Sequence, residues 1–123
     1  MALFDTDVLI DNLLNRYGAS QALIKFKDEK NYCSVITIGE ILFGMYPDEK
    51  EKTLKLLDSL APLEVDKDIV LSAYEIKNKA RGFNLELYDC IIAATAIQND
   101  MVLVTKNAKH YPDERIRIYA PQY

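Results

Sequence analysis

The sequence predicts an α/β protein with a mainly parallel sheet. Short β-type runs alternate with helix-type runs from end to end, and no repeat, low-complexity tract or long linker interrupts them. Half of its 123 residues are hydrophobic, enough for one compact core, so a single domain spanning 1–123 is expected.

The elements follow in order. Ala2 to Phe4 form a buried first strand, and Asp5-Thr6-Asp7 leads into a helix. In that helix Ile10, Leu13, Leu14 and Tyr17 recur at helical spacing until Gly18 offers a left-handed stop. Ser20 is placed to cap a second helix carrying Ala22, Leu23 and Phe26, and Tyr32 to Ile36 reads as a second strand. Thr37 then opens a helix whose stripe of Ile38, Ile41, Leu42 and Met45 ends at Pro47, and Asp48 caps another with Leu54, Leu57 and Leu60 inward. Leu63 to Val65 make a short strand. Ile69, Ala73, Ile76 and Ala80 keep the helical period up to Arg81-Gly82. Leu87 to Ile97 is apolar nearly all round and therefore a central helix, and Met101 to Val104 and Ile116 to Tyr119 complete the strands.

Lys+Arg 15 against Asp+Glu 19 leaves a net charge of −4, which argues against a protein that coats nucleic acid nonspecifically but allows one that meets it at a local site. Cys33 and Cys90 lie in apolar surroundings without the spacing of a zinc site or a disulfide framework, which fits a reducing cytoplasm. Acids interrupt the opening MALFDTDVLIDNLL, and no uncharged stretch approaches about 18 residues, so neither secretion nor membrane spanning is expected.

Three acids stand at element junctions. Asp5 sits between Leu3-Phe4 and Val8-Leu9-Ile10, at the edge of the core, where a carboxylate needs a cation or hydrogen bonds. Strand C-terminal ends are also where α/β sheets place ligands, although a helix N-cap at Asp5 or Asp7 explains the same residues more simply. Glu40 closes Thr37-Ile38-Gly39-Glu40, which fits a capping box, yet the apolar residues after it set that helix end deep. Asp89 shares a stripe with Ile92, Ala93 and Ala96, facing where its neighbours are buried; its simpler role is a favourable charge in a first helical turn. Val102-Leu103-Val104 runs into Thr105-Lys106-Asn107, presenting Thr105 and Asn107 at the same kind of strand end, or Asn107 as an ordinary cap. His110, the only histidine, has no evident partner for acid–base work and reads as packing or simple exposure.

A shared site of three carboxylates calls for a cation, and oxygen donors select Mg²⁺ or Mn²⁺. Such ions activate water against a phosphodiester, so the residues point to metal-assisted phosphoryl chemistry.

With those blocks in view, the sequence resembles the PIN-domain nucleases, and specifically the VapC-type toxins of toxin–antitoxin pairs, over nearly its whole length. FDTDVLID resembles the family's first motif, with its leading acid at Asp5, and TIGEILFG the second, with its Glu at Glu40. LYDCIIAATAI resembles the third, with its acid at Asp89, and LVTKNAKHY the closing strand and turn, with the fourth polar position at Asn107 where many members carry an acid. The resemblance implies a three-layer α/β sandwich, a Mg²⁺ or Mn²⁺ site and endonucleolytic cleavage of RNA. It also implies homodimers and inhibition by a cognate antitoxin. On this reading Asp5 and Asp89 are direct ligands, Glu40 helps hold the ion and its water, and Asn107 completes the shell, with Asp7 adding charge through water. Thr6 orients Asp5 or the scissile phosphate. Thr105 and the cations Lys106, Arg81, Lys79 and Lys109 flank the turns nearest the site as candidate RNA contacts.

Three other readings remain. A housekeeping RNA-processing nuclease would carry the same motifs. A receiver-like signalling domain would place Asp66, after Leu63-Glu64-Val65, at the end of a central strand but leave Asp89 unexplained. A protein-binding module of the same fold would use the acids only as caps.

Overall fold

The computed structural model describes residues 1–123. Five strands, β1 (Ala2–Phe4), β2 (Asn31–Ser34), β3 (Ala61–Leu63), β4 (Val102–Val104) and β5 (Ile118–Tyr119), form one sheet in the order β3-β2-β1-β4-β5, and every neighbouring pair is parallel. The helices are α1 (Thr6–Leu13), α2 (Tyr17–Lys25), α3 (Val35–Gly44), α4 (Lys50–Asp58), α5 (Lys67–Lys79) and α6 (Leu87–Gln98).

Alternation along β1 assigns the two cores. Leu3 packs with Leu103 and the buried faces of α5 and α6, whereas Ala2 and Phe4 point the other way, into a cluster with Val8, Ala22, Ile41 and Leu57 from α1 to α4. Helices thus cover both faces, giving the three layers expected of a parallel sheet. Cys90 to Ala96 of α6 are all buried, as its all-round apolar sequence requires; truncating Ile92 to alanine there costs about 2–5 kcal/mol.

Several local expectations are corrected. Gly18 does not stop α1; Asn15 does, at φ 61°, and Gly18 lies inside α2. Ser20 caps nothing and donates instead to the Asn12 side chain, while Arg16 stands at the α2 N-cap. Strand β2 ends at Ser34, whose side chain accepts from the Ile36 amide, so α3 starts before Thr37 and the capping box at Thr37–Glu40 does not form. Asp48 lies in a 3-10 turn, Pro47–Glu49, that runs straight into α4. Strand β3 is Ala61–Leu63 rather than Leu63–Val65. Gly82 does adopt the left-handed conformation, φ 92°, just beyond α5.

Strand order reverses between β1 and β4, since the chain runs outward to β2 and β3 and then crosses back. Crevices at such a switch point, beyond the carboxyl ends of the strands, are where open α/β sheets bind ligands. Asp5 follows β1 and Thr105 follows β4 at that point, and the Asp5 amide bonds the Val104 carbonyl at 2.9 Å. Asp66 follows β3, an edge strand, and caps α5 through the Ile69 amide, which removes the receiver-like reading.

Candidate metal centre

Each of the three candidate acids is held by a different device. Asp5 is 3% exposed, and its Oδ2 accepts a 2.7 Å bond from the hydroxyl of Thr105, which is fully buried. Thr105 Oγ1 in turn accepts from the Asn107 amide at 3.1 Å, and Asn107 Nδ2 donates to Asp7 Oδ2 at 3.2 Å. Glu40 Oε1 accepts from the Thr6 hydroxyl at 2.7 Å, and the Thr37 hydroxyl lies 2.9 Å from that of Thr6. A threonine has one hydroxyl proton; with that of Thr6 committed to Glu40, Thr37 donates to Thr6. Asp89 Oδ2 accepts from the Glu86 amide at 3.0 Å, the N-terminal contact of α6.

The electrostatics carry the mark of uncompensated charge. Burial pushes the Asp5 carboxyl up to about 6, opposed by the Thr105 hydrogen bond and reinforced by the charges of Asp7 and Asp89. Burial also raises Glu40, against the Thr6 bond and together with Asp89, Asp7 and Glu86. Tyr111, buried behind the site, is raised by burial and by the same carboxylates. Groups from separate elements therefore act on one another.

A cleft of about 260 Å³ is lined by Asp7, Glu40, Glu86, Asp89, Asn107 and His110, with Asn84, Tyr88 and Tyr111 completing its walls, while Asp5 stays buried and is not part of its lining. No three carboxylate, imidazole or thiol groups are gathered tightly enough to enclose an ion by themselves. Asp7, Glu40, Glu86 and Asp89 face the cleft from its walls. Their chemistry nonetheless fits a hard divalent cation: the donors are oxygens, the charges are of one sign, and neither cysteine lines the cleft.

The expected substrate contacts divide. Thr6 and Thr105 are buried and hold Glu40 and Asp5, so neither meets a polynucleotide. Lys106 is engaged with Asp11 at 2.8 Å. Lys79 lines a separate cavity with Asp113 and Arg115. Arg81, beside Asn78, and Lys109 stay exposed. Glu86 and Asn84 join the cleft without a motif to mark them, the one signal in the sequence being Glu86 standing three positions before Asp89, and His110, expected only to pack or lie exposed, joins it from within the closing block.

Comparison with known proteins identifies the family of the chain. Residues 2–112 match the PIN domain family. Ribonuclease VapC10 of Mycobacterium tuberculosis is 32% identical over 115 residues, covering 91% of this chain and 86% of that protein. Ribonuclease VapC1 of Methanocaldococcus jannaschii is 32% identical over 118 residues, covering 94% and 80%. Among solved structures, a chain of a toxin–antitoxin complex from Klebsiella pneumoniae superposes with a TM-score of 0.85 at 29% identity, covering 99% of this chain and 98% of that one.

Proposed function

The chain belongs to the PIN-domain family, and from that premise we propose that it is a divalent-metal-dependent endoribonuclease, the toxin of a VapC-type toxin–antitoxin pair, with Asp5, Glu40, Asp89 and Asn107 around its metal site. The observation that carries this reading is the mutual influence of Asp5, at the switch point of the sheet, Asp7 in the first turn of α1, Glu40 within α3 and Asp89 in the first turn of α6, the last three lining a single cleft. Mg²⁺ or Mn²⁺ bound there would supply Lewis acidity that activates water and offsets phosphate charge.

The chain's own residues do the holding. Thr105 fixes the direction of Asp5, Thr6 that of Glu40, and the Glu86 amide that of Asp89, so each carboxylate keeps one orientation before any ligand arrives. Asn107 contributes a side-chain carbonyl and bridges to Asp7. An RNA phosphate meets only negative charge in the cleft itself, and Arg81 and Lys109 outside its walls are the groups left to hold the flanking backbone.

Partners are read from the surface. The relative from Klebsiella is part of a toxin–antitoxin complex, and Phe43 and Tyr46 stand exposed beside an apolar groove at Glu40, as a protein-binding surface would. Val70, Leu71 and Tyr74 are exposed on α5 and suit a homodimer.

The test is cleavage of RNA by purified protein in Mn²⁺ or Mg²⁺ and in chelator. Cleavage that appears with metal and vanishes with chelator is expected; undiminished cleavage by metal-stripped protein overturns the reading.

A further inference from the structure

Asp11 is a buried carboxylate on α1 that takes no part in the cleft, yet it collects three partners: Lys106 Nζ at 2.8 Å, the Tyr123 hydroxyl at 2.5 Å on the same oxygen, and Arg16 Nε at 3.3 Å on the other. Burial alone would raise its pKa; the bonds from Lys106 and Tyr123 and the charges of Lys106 and Arg16 together hold it below the usual carboxylate range. The Tyr123 ring also covers the Lys106 ammonium, 5.5 Å from the ring centroid. Beneath Tyr123 lies Gly18, where an added Cβ would fall 2.2 Å from the tyrosine Cβ, so the seat of this ring depends on a glycine.

Lys106 is the middle residue of the turn whose two neighbours hold acids of the candidate metal site, Thr105 bonding the buried Asp5 and Asn107 bonding Asp7 of the cleft. Its side chain ties that turn back to α1, the helix that begins at Asp5 and carries Asp7 in its first turn.

We propose that Tyr123 is a positioning residue for the cleft, acting through Asp11 and Lys106 to fix the turn that orients Asp5 and Asn107. The inference rests on reading the cleft as a divalent-cation site. Tyr123 touches no reacting group; it limits the freedom of a turn that sets ligand geometry, as hydrogen-bonding partners behind metal ligands do.

The test uses the full chain with Mn²⁺ as probe. Tyr123→Phe keeps the ring over Lys106 and Gly18 and deletes only the hydroxyl, and Ile76→Val, on the buried face of α5, is the comparator for plain loss of stability. In Tyr123→Phe the Mn²⁺ dissociation constant measured by calorimetry should rise on the order of 10-fold. Its kcat on RNA should fall with KM unchanged, while Ile76→Val lowers Tm and leaves Mn²⁺ affinity alone. Lys106→Met, which keeps the stem and removes the charge, should weaken Mn²⁺ binding in the same direction. Wild-type Mn²⁺ affinity and kcat in Tyr123→Phe, or in Lys106→Met should the tyrosine variant not fold, overturn the proposal. A wild-type protein that binds no Mn²⁺ overturns the cleft's metal reading and this inference with it; one that binds Mn²⁺ normally while both variants match it overturns this inference alone.

Discussion

Thr105 and Asp5 lie 100 positions apart and share a 2.7 Å hydrogen bond at the switch point of the sheet, the hydroxyl at the end of β4 donating to the carboxylate at the end of β1. Thr105→Val keeps the shape of the side chain and deletes the donor. The variant should unfold at lower urea, destabilised by about 1–3 kcal/mol at neutral pH in chelator, because a buried charge loses its partner. Metal-dependent cleavage should fall as well. Wild-type stability would mean that Asp5 has another partner.

The raised pKa of Asp5 makes a statement about pH. A carboxyl near 6 in the folded protein and 3.8 unfolded binds more protons when folded between those values. Its favourable contribution is therefore complete below about pH 4 and is lost as pH rises through 6, and Glu40 shifts in the same direction. In chelator, Tm should decline between pH 4 and 7. Asp5→Asn should flatten that decline and stabilise the metal-free fold at pH 7 by up to about 3 kcal/mol, because a tenfold change in proton affinity between the two states corresponds to about 1.4 kcal/mol. An Asp5→Asn profile parallel to the wild type would contradict the burial account.

Much of this is legible in the sequence, and the failures have physical causes. Asp5 stands out because an apolar run ends in an acid, and Asp89 because an otherwise buried helix carries one charge. Glu40 reads as part of a capping box that does not form: Ser34 caps α3 one turn earlier, and a fully buried Thr37 serves the Thr6–Glu40 bond instead. Gly18 reads as a stop because glycine serves both as a left-handed residue and as a gap for a close neighbour; the second use needs Tyr123, which no local pattern connects to it. Lys106 reads as an RNA contact for the same reason. Its partner Asp11 is 95 positions away, and pairing at that range leaves no periodic signal.

Gly18→Ala tests the seat of Tyr123 directly. The added methyl would occupy space held by the tyrosine Cβ and ring, which cannot both stay. Overpacking of this kind costs about 1–3 kcal/mol, so a lowered denaturation midpoint is expected although alanine is the better helix former. A more stable Gly18→Ala protein would show that Tyr123 is not seated there.

Acid should release the same clamp. The pKa of Asp11 lies below the usual range, so its contribution to stability is present above about pH 4 and is lost as pH falls through the folded value. Asp11→Asn should therefore lose stability at pH 7 and show a shallower fall in Tm below pH 4 than the wild type. Equal acid sensitivity of the two proteins would remove Asp11 from the account.

The claim that Asp5, Glu40 and Asp89 serve one divalent ion is tested most directly by Mn²⁺ titration calorimetry of the wild type beside Asp89→Asn. The amide oxygen of Asn can still accept the Glu86 N–H, so the N-terminal contact of α6 survives while the charge is lost. The account predicts measurable Mn²⁺ binding by the wild type and a loss of affinity on the order of 10-fold or more in the variant, with metal-free stability unchanged or raised as repulsion among the acids eases. Equal Mn²⁺ affinity in the two proteins, or destabilisation of metal-free Asp89→Asn with no change in metal binding, would leave Asp89 a helix cap and contradict the shared site.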